Sequence, residues 1–162
     1  MKKLVFNTSN SVAPLALRLL LGLVLFPHGA QKLLGWFDGY GFTGTMTFFT
    51  DTVGLSWFIG FLVIIIEFFG PIALILGAAT RLWSIAILTI MAGIIFTTFS
   101  DHFFMDWYGT QKTEGFEFFL LAIGMSASFI ISGAGKFSID ALISKRKDTG
   151  IAPGSLLKNQ AA

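Results

Sequence analysis

Five ionisable residues, Arg18, His28, Lys32, Glu67 and Glu117, stand inside stretches that are otherwise apolar. Their side chains offer hydrogen bonding, charge and proton transfer. The sequence has no cysteine, so thiol–disulfide exchange, which needs an attacking thiolate, is not chemistry these residues perform. The two histidines, His28 and His102, fall toward the same side of the apolar segments, a poor arrangement for a haem held between facing helices. No haem is therefore expected. No metal is expected either, because the spacing of His and carboxylates marks no zinc site, and no Walker loop or Rossmann fingerprint marks a nucleotide. A Lys or Arg at the centre of a membrane helix costs about 2.5–3.5 kcal/mol on insertion scales. The charged positions are thus where function is to be sought.

The elements that carry them follow from composition. Of 162 residues, 54% are hydrophobic and 12% charged, with mean hydropathy +0.78, which leaves too little polar sequence to cover a water-facing surface. Four apolar runs, at about 14–34, 57–79, 82–99 and 116–133, each have the 17–25 residues that span a bilayer as helix, the fourth near the minimum. They lack the alternation of barrel strands, so the expected fold is all-α, a polytopic membrane four-helix bundle spanning residues 1–140. The first run starts too far from Lys2 and Lys3, and lacks a small-x-small site, so it reads as a retained helix and not a cleaved signal.

Phe42, Met46, Phe49 and Val53 recur at helical spacing between the first two runs and predict a short interfacial helix capping the outer mouth. An aromatic-rich loop anchored at the headgroups, like Trp57, Trp107 and Tyr108, is the alternative. Lys2, Lys3, Arg81, Lys136, Lys145, Arg146, Lys147 and Lys158 gather on the side of the termini, which places both termini in the cytoplasm. Residues 141–162 read as a basic, mobile cytoplasmic tail, solvated or touching anionic lipid. Membrane lipid is the expected surrounding partner, and no nucleic-acid partner is expected.

Along the first helix, Arg18, Gly22, Leu25, Gly29 and Lys32 share one side, where the glycines permit close approach of a neighbour. They serve contacts within one bundle or between two copies, so a homo-oligomer is compatible. Arg18 reads chiefly as a clamp, meeting Glu67 or helix-terminal carbonyls, with snorkelling or ligand binding as alternatives. His28 and Lys32 are four apart and adjoin on the helix surface, with Pro27 releasing the Leu23 carbonyl nearby. Glu67, in the middle of the second run, is either protonated or paired with Arg18, His28 or Lys32. Glu114 and Glu117 open the fourth helix, where either complements the helix dipole. Asp101 and His102 are expected at the interface.

The order of Arg18–Gly22, His28-Gly29-Ala30-Gln31-Lys32, Gly54-Leu55, Glu67 with Gly70, Leu74, Gly77 and Arg81, and the closing Gly133–Asp140 segment resembles the DoxX family of small four-helix membrane proteins. The resemblance implies a multi-pass protein of a bacterial-type inner (plasma) membrane, with some members linked to quinone-dependent sulfur oxidation or to membrane oxidoreductase complexes. Quinone is then the cofactor to expect, its ring among Phe and Trp side chains. His28, Lys32 and Glu117 are the candidate catalytic residues, and Arg18, Gln31 and Glu67 the candidate binding residues. With no electron-transfer centre visible, a redox partner subunit is expected. A small-solute transporter or a non-catalytic membrane scaffold are the alternative functions.

Overall fold

The computed structural model describes residues 6–97, 102–106, 108–109 and 115–148, without the side chains of 146–148. Lys2, Lys3, Asp101, Trp107, Lys112, Glu114 and the tail beyond 148 lie outside them. The described residues form six helices and no strand: α1 Ala13–Leu34, α2 Gly41–Thr47, α3 Trp57–Leu76, α4 Thr80–Thr97, α5 Glu117–Ser132 and α6 Ile139–Asp148. α1, α3 and α4 are each long and apolar enough to cross a membrane. The fourth expected span, α5, has 16 residues, covering about 24 Å at 1.5 Å each. That falls short of the roughly 30 Å hydrocarbon core.

Helix ends follow local chemistry. Pro14 sits in the first turn of α1, where its missing N–H removes no helical bond. Ser56 caps α3 by accepting from the Ile59 N–H. The second apolar run was expected to continue to residue 79, but α3 ends at Leu76 because Gly77 takes φ 66°. The Gly77 N–H donates to Leu74 O at 3.0 Å and the Ala78 N–H to Ala73 O at 2.9 Å, the paired bonds of a Schellman ending. Hydropathy alone does not register that stop.

Small residues set the helix packing. A Cβ on Gly22 would lie 2.6 Å from Ile75 Cγ1 and 3.0 Å from Pro71 O, and one on Gly29 would overlap the Glu67 carbonyl. The glycines of α1 therefore serve contact with α3 inside one bundle. Leu21, Leu25, Leu74, Ile87, Met91 and Phe129 fill the core among α1, α3, α4 and α5.

The Ser9 N–H donates to Ser132 O at 2.9 Å, so the start of α1 and the close of α5 share one end of the bundle, here termed the terminal end. There Arg18, only 1% exposed, lays its guanidinium on four main-chain carbonyls. Nη1 donates to Ile75 O at 2.7 Å and Leu74 O at 3.3 Å, and Nη2 to Lys136 O at 3.4 Å and to Phe137 O. Two of these belong to the last turn of α3, where a cation also complements the helix dipole. Asp140, equally buried, accepts from the Ala79 N–H at 2.7 Å and the Thr80 N–H at 2.9 Å, completing the amino end of α4. One tight turn between two helices thus has a cation on its incoming carbonyls and an anion on its outgoing amides.

The same knot fixes the chain after α5. Ser138 caps α6, its hydroxyl accepting from the Ala141 N–H at 3.1 Å and donating to Gly135 O at 2.7 Å. Ala79 and Phe137 hold φ of 47° and 54°, a left-handed conformation that costs a non-glycine residue about 1–2 kcal/mol. α6 runs across the boundary at 140 and carries Ser144–Asp148 as helix, where a tail was expected from 141 onward.

Candidate functional site

At the opposite end lies a cavity of about 580 Å³. Its polar wall begins where α1 and α3 approach most closely. Gly29 rests against the Glu67 main chain, and this contact brings the next turn of α1, bearing Lys32, over the Glu67 side chain. Pro71, four residues after Glu67, has no N–H to give the Glu67 carbonyl. That carbonyl is left facing the glycine. The sequence carried this signal in the spacing of Glu67 and Pro71, the same signal it carried in Leu23 and Pro27.

Lys32 Nζ lies 2.5 Å from Glu67 Oε2, with side-chain exposures of 27% and 6%. Of the partners open to Glu67, Lys32 is the one it meets. The pair is asymmetric: the carboxylate is enclosed near the middle of α3, while the lysine side chain keeps part of its surface open. His28 lies one turn deeper on α1 and projects into the same cavity, its ring 6.3 Å from that of Phe118. With Thr97 these three are the polar residues among the cavity's lining; Val63, Met91, Ile94, Phe118 and Phe119 are among the apolar remainder.

The short helix expected after the first span is present, and its last turn widens into a π-helix over Phe48–Thr52. The Val53 N–H reaches back to Phe48 O at 3.1 Å, five residues away. That one-residue widening matters because Phe48, Phe49 and Val53 all line the cavity. Met46 is buried, and Phe42 meets Phe61 edge-on with centroids 6.4 Å apart. The predicted apolar stripe therefore turns toward the bundle and covers the mouth. Trp36, Phe37 and Tyr40 are exposed at this end, as aromatic residues at a headgroup level are.

The remaining candidates lie elsewhere. Arg18 is 14 residues from Lys32 on α1, about 21 Å by helical rise, and is engaged in the terminal knot. Of the contacts open to it in the sequence, helix-terminal carbonyls are the ones it makes; Glu67 is not among its partners. Gln31 donates to Phe37 O at 3.1 Å and lines a neighbouring polar cleft instead of this cavity. Glu117 accepts from the Met105 N–H at 3.1 Å and is not part of the cavity lining. His102 is exposed, and its carbonyl accepts from the Phe116 N–H at 3.1 Å. In the sequence Asp140 is only the last residue of the closing motif; its buried role on α4 is foreshadowed by Ser138, a cap residue opening a helix.

Chemically, the site presents one ammonium, one imidazole and one enclosed carboxylate along one wall of an otherwise oily space. It can donate hydrogen bonds to an oxygen-bearing ligand and exchange protons with it.

The DoxX family model matches residues 13–100, more than half of the chain. A Bacillus subtilis (strain 168) protein named "Putative oxidoreductase CatD" is 27% identical over 144 residues, covering 89% of this chain and 96% of the relative. No solved structure matches. The family match contains Arg18, His28, Lys32 and Glu67 but stops before Glu117 and Asp140.

Proposed function

The chain belongs to the DoxX family, and from that premise we propose that it is a quinone-associated component of a membrane oxidoreductase system. The observation that carries this reading is the Lys32–Glu67 pair set in the wall of an apolar cavity of about 580 Å³. Small-molecule sites are typically concave, about 300–1,000 Å³, mainly apolar and furnished with few polar groups. A quinone, which supplies two-electron redox chemistry when bound, matches that donor set: a flat apolar ring with two acceptor oxygens. Phe118 and Phe119 flank the ring, and Val63 and Ile94 continue the apolar wall along which a prenyl tail lies. The Lys32 ammonium and the His28 imidazole donate to the ring oxygens. Glu67, enclosed and held by Lys32, holds or releases the accompanying proton.

The name of the Bacillus subtilis relative points toward the same class of activity. Because the residues of this chain include no cysteine and only two histidines, a partner subunit supplies the electrons. The protein lies in a bacterial-type inner membrane with both termini cytoplasmic, following the distribution of Lys and Arg.

Protein purified gently in native lipid nanodiscs is extracted for mass spectrometry and titrated with a short-chain quinone. The expected result is a retained isoprenoid quinone and a raised unfolding midpoint, equivalent to about 2.7 kcal/mol at a hundredfold excess over Kd. His28→Ala or Lys32→Met removes the shift. Neither retained quinone nor a shift in the unaltered protein overturns the reading.

A further inference from the structure

A second cavity of about 560 Å³ lies beside the first, between the end of α1, the 35–40 loop and α2. More of its side chains are polar, although most of its wall is still carbon. Gln31, Asp38, Thr45, Thr47 and Thr52 line it, and Tyr40 at its edge is exposed. Its wall is firmly built, since Gly39 packs against the main chain of Gln31 with no room for a Cβ, and Gln31 in turn holds Phe37 O. The two cavities have three lining residues in common: Lys32, Phe48 and Phe49. The two aromatics belong to the π-helical turn, and Lys32 is the charged residue among the three.

We infer that the polar cleft is a water-filled vestibule ending on Lys32, and that Phe48 and Phe49 partition it from the apolar cavity. The ligand class of this second site is water and small hydrophilic solutes. Its lining has the polar partners that ordered water requires, and the exposed part of Lys32 gives the ammonium a hydrated face while its other side holds Glu67. Such an arrangement lowers the cost of a charged lysine at this depth, because one face of the ion stays solvated. The charged and titratable groups around the pair divide accordingly: Asp38 faces the cleft, His28 and Glu67 the cavity, and Lys32 both. Solvent protons thereby reach the pair without crossing the space assigned to a quinone. This last consequence deepens the quinone reading and rests on it, whereas the vestibule and its partition do not.

The cysteine-free sequence makes the test direct. In ligand-free nanodiscs, the unaltered protein is treated with the water-soluble amine reagent sulfo-N-hydroxysuccinimidyl acetate and mapped by mass spectrometry. Lys32 is expected to be acetylated, more slowly than Lys136 but to completion, and at least threefold faster in Glu67→Gln. Separately, Val63→Cys in the cavity wall is exposed to a charged methanethiosulfonate. It is expected to remain unmodified alone and to react at least tenfold faster when combined with Phe49→Ala. A Lys32 that stays unmodified after Lys136 has fully reacted overturns the vestibule. Equal reactivity of Val63→Cys with and without Phe49→Ala overturns the partition. No quinone is present, so neither failure bears on whether the apolar cavity binds one.

Discussion

The two ends of the bundle treat buried charge in opposite ways. At the terminal end, Arg18 has four main-chain carbonyls and Asp140 two main-chain amides, so each charge is held by backbone at helix ends and in the segments that join them. At the other end, the enclosed Glu67 and the half-open Lys32 share one contact beside a cavity. A charge that completes helix ends is a fold determinant. A charge with one side-chain partner and adjacent space keeps capacity for a ligand.

The sharpest way to break this contrast is at Arg18. Removing one member of a buried, hydrogen-bonded charge set costs about 3–5 kcal/mol, so Arg18→Met should abolish folded protein or lower its unfolding midpoint more than any other single change considered. Arg18→Lys should rescue little, because one ammonium cannot bridge carbonyls of α3 and of the 136–137 segment as a planar guanidinium does. Retained stability in Arg18→Met, measured by thermal unfolding in detergent, would show that the knot is dispensable.

Gly29 joins the two regions, since it sets the α1–α3 approach that aligns Lys32 with Glu67. Gly29→Val should cost about 1–3 kcal/mol through overpacking and also remove quinone-dependent stabilisation. A variant that loses stability yet binds ligand as before would separate helix approach from site assembly.

Much of the scaffold was legible because hydropathy has a long period and a strong signal. The first run, expected at 14–34, is α1 at Ala13–Leu34, and the amphipathic stripe at Phe42, Met46, Phe49 and Val53 gave the intervening helix. The anchoring of Arg18 was legible only in kind. Its partners are carbonyls 56 to 119 residues away, and every residue has a carbonyl. Charge patterning therefore named carbonyls as a class without naming which. Lys32 is one of three cations the sequence offers Glu67, and the glycine spacing that selects it becomes meaningful only once α1 lies on α3. The cavity was less legible still, because Phe lines lipid and ligand sites alike.

The ion pair offers the next comparison. Replacing both members, Lys32→Met with Glu67→Gln, removes two charges together, and such paired neutralisation is often close to neutral for folding. The double variant should stay within about 1 kcal/mol of the parent and lose the quinone-induced shift entirely. Loss of fold in this variant, by the same unfolding assay, would place the pair with Arg18 as a structural clamp.

The smallest effect is expected at Glu117, which the sequence placed with His28 and Lys32 and the fold ties to the Met105 amide. Glutamine retains a carbonyl oxygen that accepts the same bond, so Glu117→Gln should change stability by about 0.5 kcal/mol or less, the scale of one carboxylate's contact with a helix dipole. Glu117→Ala, which leaves that amide without its acceptor, should cost about 1 kcal/mol. Neither should alter quinone affinity, because the carboxylate faces the loop and not the cavity lining. A loss of binding in Glu117→Gln with the midpoint unchanged would move this residue into the site: only its charge, and not its hydrogen bond, would then have been removed.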